Sequence, residues 1–185
     1  RAGLPGLTMA VNLSAVQFKR GDVEQSVLRA LEESGLSAHL LELELTESIL
    51  IQNAEGVLAS LKRLKQIGVK LSIDDFGTGY SSLSYLKRFD IDKLKIDQSF
   101  VRDLGKDEDD AAIVRAVIQM AHSLSLKTIA EGVETEEMLA SLCRYGCDEA
   151  QGYHFARPMP ASEMTEFLRR AVAQPACTPL NQPDT

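Results

Sequence analysis

The sequence has few of the features that mark secreted, membrane-spanning or DNA-binding proteins. It contains three cysteines in 185 residues, an odd and dispersed set that argues against a disulfide framework and favours a reducing cytoplasm. No apolar run approaches the roughly 20 residues that a membrane helix needs, and no signal peptide is visible. The net charge of −7 argues against a basic DNA-binding surface. We expect a cytoplasmic domain with no DNA partner; any membrane tether would lie upstream.

Short apolar runs alternate with amphipathic stretches along most of the chain. The runs predict strands at residues 7–13, 40–45, 69–73, 93–96, 127–130 and 147–150, with a candidate seventh at 153–155. Helices are predicted at residues 23–34, 55–67, 83–89, 110–124, 136–145 and 162–173. Gly35 is the expected stop of the first helix, and Thr135 and Ser162 are expected N-caps of the last two.

This alternation predicts an α/β fold with a parallel sheet of βα units. The pattern allows either a closed barrel or an open, doubly wound sheet, although the GxGxxG fingerprint of dinucleotide-binding folds is absent. Residues 1–173 are expected to form one domain. Residues 174–185 are proline-rich and polar, which predicts a disordered tail.

Polar side chains follow the predicted strands at their carboxyl ends, where parallel α/β folds collect their reacting groups. Asp74 and Asp75 come directly after an apolar strand, and such adjacent charges need a cation or a proton between them. Oxygen ligands without histidine or cysteine suit Mg²⁺ or Mn²⁺ rather than zinc. The candidate site residues are Asn12, Glu44, Glu47, Asp74, Asp75, Lys95, Asp97, Glu131, Glu134 and Gln151.

Each of these residues also has an ordinary structural explanation. Asn12 and Gln151 could be turn residues, and Lys95 could be one more surface lysine. The aspartate pair could cap a helix, and the glutamates could be solvated charges or favourable first-turn residues. Their joint occurrence at successive strand ends favours a shared site.

The strings that contain these residues resemble those of the EAL-domain family, the cyclic-di-GMP phosphodiesterases. The most specific is Asp-Asp-Phe-Gly-Thr-Gly at residues 74–79. The others are Val-Asn-Leu-Ser at 11–14, Glu-Leu-Glu-Leu-Thr-Glu-Ser at 42–48, Lys-Leu-Lys-Ile-Asp at 93–97, Ala-Glu-Gly-Val-Glu-Thr at 130–135 and Gln-Gly-Tyr at 151–153. The resemblance extends from about residue 7 to residue 172.

The resemblance implies a modified (β/α)₈ barrel that hydrolyses cyclic di-GMP to linear pGpG with two Mg²⁺ or Mn²⁺ ions. It implies that the metal ligands are Asn12, Glu44, Asp74, Asp75 and Glu131, with Asp74 shared between the two ions. By the same resemblance Lys95 holds the nucleophilic water, Glu131 is a general base or a ligand, and Gln151 contacts a metal-bound water. The residues that would shape the loop and the substrate site are Glu47, Phe76, Gly77, Thr78, Gly79, Asp97 and Glu134.

One family feature is missing, because no Glu-Ala-Leu string occurs in the sequence. In relatives this string lies on the first barrel strand and supplies a metal-ligating glutamate. A barrel typically needs about 250 residues, so we expect the first strand and its helix to lie outside this chain. We therefore expect weak metal binding and slow turnover here, a homodimer, and an upstream sensor or GGDEF domain in the parent protein.

Two other functions remain open from the sequence. A receptor module of the same family would bind cyclic di-GMP without hydrolysing it, although such relatives usually lose acidic-loop residues that this sequence retains. Without the resemblance, the residues also allow an unrelated barrel enzyme in which Lys95 abstracts a proton beside a carboxylate and Mg²⁺ lies on the acids.

Overall fold

The computed structural model describes residues 6–20, 22–47, 49, 54–77, 86, 88–104 and 108–173. The chain divides into two compact units, one of residues 8–156 and one that combines residues 1–7 with 157–185. The predicted tail at 174–185 lies outside the described residues, as does most of the predicted helix at 83–89.

The larger unit contains a parallel sheet whose strands lie side by side in chain order. The strands are β1 (Met9–Leu13), β2 (Leu41–Thr46), β3 (Lys70–Phe76), β4 (Lys93–Ile96), β5 (Lys127–Ala130) and β6 (Glu149–Ala150). Parallel neighbours joined by right-handed crossovers place their helices on one side of the sheet, as in a barrel. Since a doubly wound sheet needs a reversal of strand order, that alternative is wrong for the described strands.

The predicted helices are mostly found, with small shifts at their ends. The helices of the larger unit are α1 (Ala15–Arg20), α2 (Val23–Ser34), α3 (Ala54–Ile67), α4 (Gln98–Val101), α5 (Glu108–Ser123) and α6 (Glu136–Tyr145), with a 3₁₀ turn at Ala38–Leu40. Gly35 ends α2 in the left-handed conformation, and the Thr135 side chain accepts a hydrogen bond from the Met138 amide at the start of α6. The short helices α1 and α4 were not predicted.

Two expectations near the carboxyl end are wrong. The predicted seventh strand at 153–155 is a turn, because the Phe155 and Ala156 amides donate back to the Gly152 carbonyl. In the smaller unit, α7 (Ala161–Ala173) begins before Ser162, which is therefore a helical residue rather than the N-cap. Among the described residues, no helix combines the length and apolar character that a membrane crossing requires.

The hydrophobic core lies between the sheet and its covering helices. Alternate side chains of β2, β3 and β4 are apolar, fully buried and packed against helices α2, α3 and α5. A second cluster joins the ends of β4 and β5 to α5 and α6. The strand residues that contribute most are Leu43, Leu45, Leu71, Ile73, Leu94 and Ile96.

The opposite face of the same strands is polar. Glu42 and Glu44 on β2, Ser72 and Asp74 on β3, and Lys95 on β4 are all buried. Side chains alternate between the two faces of a strand, so the period of two that places leucines against the helices places these groups together on the inner face.

Candidate metal and phosphodiester site

The centre of the candidate site is the ammonium group of Lys95, whose side chain is only 4% exposed. Its Nζ atom lies 2.8 Å from Glu44 Oε2, 2.9 Å from Asp74 Oδ1 and 2.9 Å from Glu131 Oε1. These carboxylates come from β2, from β3 and from the residue that follows β5. One cation therefore gathers three predicted site residues that are up to 87 positions apart in the chain.

Asp75 lies beside this group and completes a cluster of oxygen atoms. Asp74, Asp75 and Glu131 each offer one carboxylate oxygen within 4.8 Å of the others. Asp75 adopts φ +55°, and the pairing register of β3 with β4 shifts between Ile73 and Phe76. This bulge interrupts the alternation of the strand and explains why two consecutive aspartates can both contribute to one cluster. Hard oxygen donors at this spacing fit a divalent ion such as Mg²⁺ or Mn²⁺.

The pKa directions follow from burial and from this crowding of charge. Burial raises the pKa of Glu131, with Asp74 and Glu44 acting in the same direction and Lys95 opposing them. Burial and the charges of Asp74 and Asp97 raise the pKa of Asp75. Both carboxyl groups thus lie where a positive charge would be strongly favoured.

The pKa of Lys95 is shifted in the direction opposite to that expected of a catalytic base. Burial alone would lower the pKa of Lys95, but the hydrogen bonds to Glu44, Asp74 and Glu131 outweigh it and raise the pKa above its usual value. An ammonium that is held by three carboxylates keeps its proton. The geometry therefore speaks against the hypothesis in which Lys95 abstracts a proton from a substrate.

Backbone contacts hold the loop after β5 against the loop after β6. The Gln151 amide donates to the Ala130 carbonyl at 2.8 Å, and the Val133 amide donates to the Gln151 carbonyl at 3.0 Å. Gly132 adopts φ +71°, and a Cβ atom there would lie 2.7 Å from the Cβ of Gln98. These contacts hold the backbones of Glu131 and Gln151 close together and place Gln98 next to them.

A cavity of about 300 Å³ opens next to Glu131. Gln98 lines it and was not among the sequence candidates, because nothing in its surroundings distinguished it from a surface glutamine. The other lining residues are Glu131, Gly132, Glu134, Gln151, Gly152 and Tyr153. Amide, carboxylate and phenol groups around one opening suit a polar ligand.

The remaining predicted residues have more varied positions. Asn12 is exposed on β1, in register with Glu44. Glu47 is buried just after β2, whereas Glu134 is exposed and its amide contacts the sulfur of Met138. Asp97 accepts a hydrogen bond from the Ser99 amide and caps α4.

The Asp-Asp-Phe-Gly-Thr-Gly string is only partly described. Phe76 is buried in the core, and a Cβ atom on Gly77, which has φ +98°, would lie 3.1 Å from the ring of Phe100. Thr78 and Gly79 lie outside the described residues, so the expected anchoring of this loop by Glu47 and Glu134 stays a prediction.

The parallel strands lie in chain order, and acidic groups and a lysine lie at their carboxyl ends. These features define a TIM-barrel-like α/β protein whose site lies at the carboxyl-terminal rim of the strands, where the sites of such barrels are found. The chain belongs to the EAL domain family, whose model matches residues 1–158. The resemblance stated from the sequence strings is therefore confirmed.

Similar proteins come from several bacteria. The chain is 48% identical over 183 residues to the cyclic di-GMP phosphodiesterase NbdA of Pseudomonas aeruginosa, a match that covers 98% of this chain and 23% of NbdA. It is 49% identical over 156 residues to the bifunctional diguanylate cyclase/cyclic di-GMP phosphodiesterase MucR of the same organism, covering 84% of this chain and 23% of MucR. The chain thus spans about a quarter of the length of these relatives.

Solved structures show the same fold. The MucR phosphodiesterase in complex with c-di-GMP superposes with a TM-score of 0.82 and 48% identity, covering 85% of this chain and 64% of that one. Klebsiella pneumoniae BlrP1, in a complex with manganese and cyclic di-GMP, gives a TM-score of 0.76 and 37% identity, covering 82% of this chain and 39% of that one.

Proposed function

We propose that this chain is the phosphodiesterase portion of a protein that hydrolyses cyclic di-GMP to linear pGpG with the help of divalent metal ions. The observation that carries the proposal is the convergence of Glu44, Asp74 and Glu131 on Lys95 Nζ at 2.8–2.9 Å, with Asp75 beside them. The relatives described as cyclic di-GMP phosphodiesterases support the choice of substrate.

The residues present fit a metal site by the chemistry of their donors. Asp74, Asp75 and Glu131 would hold one ion, while Asn12, Glu44 and Asp74 would hold another. Bound Mg²⁺ or Mn²⁺ would supply positive charge for the phosphodiester and lower the pKa of a water molecule. The manganese in the BlrP1 complex supports the choice of a divalent ion.

The side chains of the protein then have separate tasks. Lys95 orients Glu44, Asp74 and Glu131 with its three N–H donors, and to hold the attacking water it would exchange one of these hydrogen bonds for one to the water. Glu131 either helps to hold a metal ion or, where it does not bind the metal directly, accepts a proton from that water. Gln151 fixes a neighbouring water through its amide, since its backbone is held against Ala130.

The wider context of the chain is also proposed from its relatives. No Glu-Ala-Leu string occurs in the sequence, so we infer that the 185 residues alone bind metal weakly and turn over slowly. We also infer a cytoplasmic parent protein with an upstream sensor or GGDEF domain; MucR, described as a bifunctional diguanylate cyclase and phosphodiesterase, supports the presence of a second catalytic domain. A homodimer rests on the family resemblance.

The proposal is tested by incubating the purified chain with cyclic di-GMP and Mn²⁺ and separating the products by chromatography. Linear pGpG should form with Mn²⁺ and should not form when EDTA is present from the start. The E131Q variant should bind cyclic di-GMP but give no product, because a neutral amide neither accepts the proton nor replaces a carboxylate as a metal ligand. The matched control is K65M, which removes an ion pair with Asp92 on the opposite rim of the sheet and should retain turnover.

Two results would contradict the proposal. Tight binding of cyclic di-GMP by the unmodified chain without any product would favour the receptor function instead. Neither binding nor product at saturating Mn²⁺ and after prolonged incubation, in a chain shown to be folded by circular dichroism, would remove cyclic di-GMP as the ligand.

A further inference from the structure

A second ion cluster lies on the inner face of the sheet, one layer below the candidate site. Lys93 Nζ contacts Glu42 Oε2 at 3.0 Å and Glu149 Oε2 at 2.7 Å. The side chains of Lys93 and Glu42 are 12% and 5% exposed, whereas that of Glu149 is 40% exposed. None of these residues belongs to the candidate site.

Each residue of this cluster comes two positions before a residue of the candidate site in the sequence. Glu42 comes two residues before Glu44 on β2, and Lys93 comes two residues before Lys95 on β4. Glu149 likewise comes two residues before Gln151. Since side chains repeat on one face of a strand every two residues, each member of the cluster lies directly below a site residue.

The cluster also bridges strands that are far apart in the sheet. Between β2 and β6 lie three other strands, so a flat sheet would separate them by about 19 Å. A single ammonium nitrogen nevertheless lies within 3.0 Å of a carboxylate from each. The sheet is therefore strongly curled, and Lys93 links its two sides across the concave face.

We propose that Lys93, with Glu42 and Glu149, is a positioning residue that fixes the curvature of the sheet and so the separation of Glu44 from Glu131 and Gln151. This inference rests on the proposed function for its metal readout, but the geometry it describes is independent of any ligand. The ion pairs of Lys93 are with Glu42 and Glu149 and not with the proposed metal ligands, so Lys93 would act through the strands.

The pKa of Lys93 indicates that its ion pairs with Glu42 and Glu149 persist at neutral pH. Burial disfavours the charged form of Lys93, but hydrogen bonds to Glu149 and Glu42 outweigh it and raise the pKa of Lys93. The link therefore persists throughout the neutral pH range. A purely stabilising ion pair would change only the free energy of unfolding, whereas a positioning pair also changes how well the rim above it binds a cation.

The test uses Glu149, because replacing Lys93 would leave Glu42 buried without its cation and could unfold the protein. In E149A the link to β6 is lost, whereas in E149Q the amide oxygen still accepts a hydrogen bond from Lys93. Both variants lose the same charge, so a difference between them reports the link itself. The control is K65M, which removes the ion pair with Asp92 at the opposite rim.

Two quantities are measured on the full chain. The Mn²⁺ dissociation constant, from titration calorimetry, should rise at least tenfold in E149A and stay within threefold in E149Q and K65M. Hydrogen exchange of the Glu131 amide, which donates to the Ile96 carbonyl at 3.1 Å, should be at least tenfold faster in E149A and unchanged in the other two.

The outcomes separate this inference from the proposed function. Equal Mn²⁺ affinity and equal exchange in E149A and the unmodified chain overturn the positioning role, as does an equal weakening in K65M. If the unmodified chain binds no Mn²⁺, the proposed function fails. Hydrogen exchange of the Glu131 amide then tests the positioning role by itself. Faster exchange of Glu131 in E149A but not in E149Q then supports the link, and no difference overturns it.

Discussion

Gly152 lies directly against the backbone of Val133. A Cβ atom at residue 152 would overlap both the carbonyl oxygen and the amide nitrogen of Val133, so no side chain fits there. The contact is closed by two hydrogen bonds, from the Val133 amide to the Gln151 carbonyl and from the His154 amide to the Val133 carbonyl. This close approach sets the distance between the loops that carry Glu131 and Gln151.

The G152A variant should therefore be destabilised and impaired in its site. Overpacking of this kind costs about 1–3 kcal/mol in the free energy of unfolding, measured by urea denaturation. The control is G35A, where φ is +67° but nothing lies within 4 Å of the added Cβ, so only backbone strain contributes. A smaller loss in G152A than in G35A would contradict the close packing.

Replacing Lys95 by methionine should destabilise the protein strongly when no metal is present. The carboxylates of Glu44, Asp74 and Glu131 would lose their shared cation, and breaking a buried ion pair in this way costs about 3–5 kcal/mol. Mn²⁺ should recover part of the loss, because it would bind the folded state only. The measurement is urea denaturation with and without Mn²⁺.

The partly exposed pair of Lys65 and Asp92 provides the comparison for K95M. The K65M variant should lose about 1 kcal/mol or less and should show no added response to Mn²⁺ beyond that of the unmodified chain. An equal loss of unfolding free energy in K65M and K95M would mean that the three carboxylates around Lys95 do not make its charge more stabilising than that of Lys65.

The buried hydroxyl of Ser72 gives a prediction of the opposite sign. Ser72 is fully buried on β3 between Glu44 and Lys93 in register, and its Oγ has no hydrogen-bond partner among the described residues. Removing an unsatisfied hydroxyl relieves its desolvation cost, so S72A should be neutral or up to about 1 kcal/mol more stable. Thermal and urea denaturation both report this change.

Thr128 is the matched control for Ser72. It is equally buried on β5, but its Oγ1 donates to Asp148 at 2.9 Å. The T128V variant should lose about 1 kcal/mol, because the Asp148 carboxylate loses the hydroxyl donor and the Asp148 amide loses Oγ1 as its acceptor. The same effect in both variants, whatever its sign, would contradict the difference in hydrogen bonding.

Asp148 should make stability depend on pH in the acidic range. Burial alone would raise the pKa of Asp148, but hydrogen bonds from His122 and from Thr128 outweigh it and lower the pKa. A carboxyl group with a lowered folded-state pKa stabilises the protein above its unfolded pKa of about 3.9, and this stabilisation is lost as the pH falls through the folded-state value.

Urea denaturation between pH 2.5 and pH 7 tests this dependence. The free energy of unfolding of the unmodified chain should exceed that of D148N by up to about 1 kcal/mol near neutral pH, since solvent screens this partly exposed carboxylate, and the difference should shrink below about pH 4. A difference that stayed constant down to pH 2.5 would show that the charge of Asp148 is not involved.

The sequence predicted the strands well where the apolar runs are short and bounded. Strands β4 and β5 have the predicted limits, and the Lys-Leu-Lys-Ile sequence of β4 alternates polar with apolar residues. It was less successful at β3, which was expected to end before Asp74 and continues to Phe76. Adjacent charges usually end a strand, and only the bulge that reverses the alternation allows these two to remain in it.

The sequence predicted which residues would share the site, but it did not predict all of the contacts between their side chains. The shared rim follows from the parallel order of the strands, which is why Glu44, Asp74, Lys95 and Glu131 were expected together. Contacts between side chains were not predictable, and nothing in the sequence singled out Lys93 or Glu42 as buried partners. The one signal in the sequence was their spacing of two residues from Lys95 and Glu44, the period of a shared strand face.

The polar inner face of the sheet also bears on how stability changes with temperature. Unfolding exposes the carboxylates and ammonium groups of that face together with the hydrocarbon of the outer core. Hydration of polar surface lowers the heat capacity of unfolding, whereas apolar surface raises it. The domain should therefore have a smaller heat capacity increment, and a flatter stability curve, than a barrel of equal size whose interior is filled with aliphatic layers.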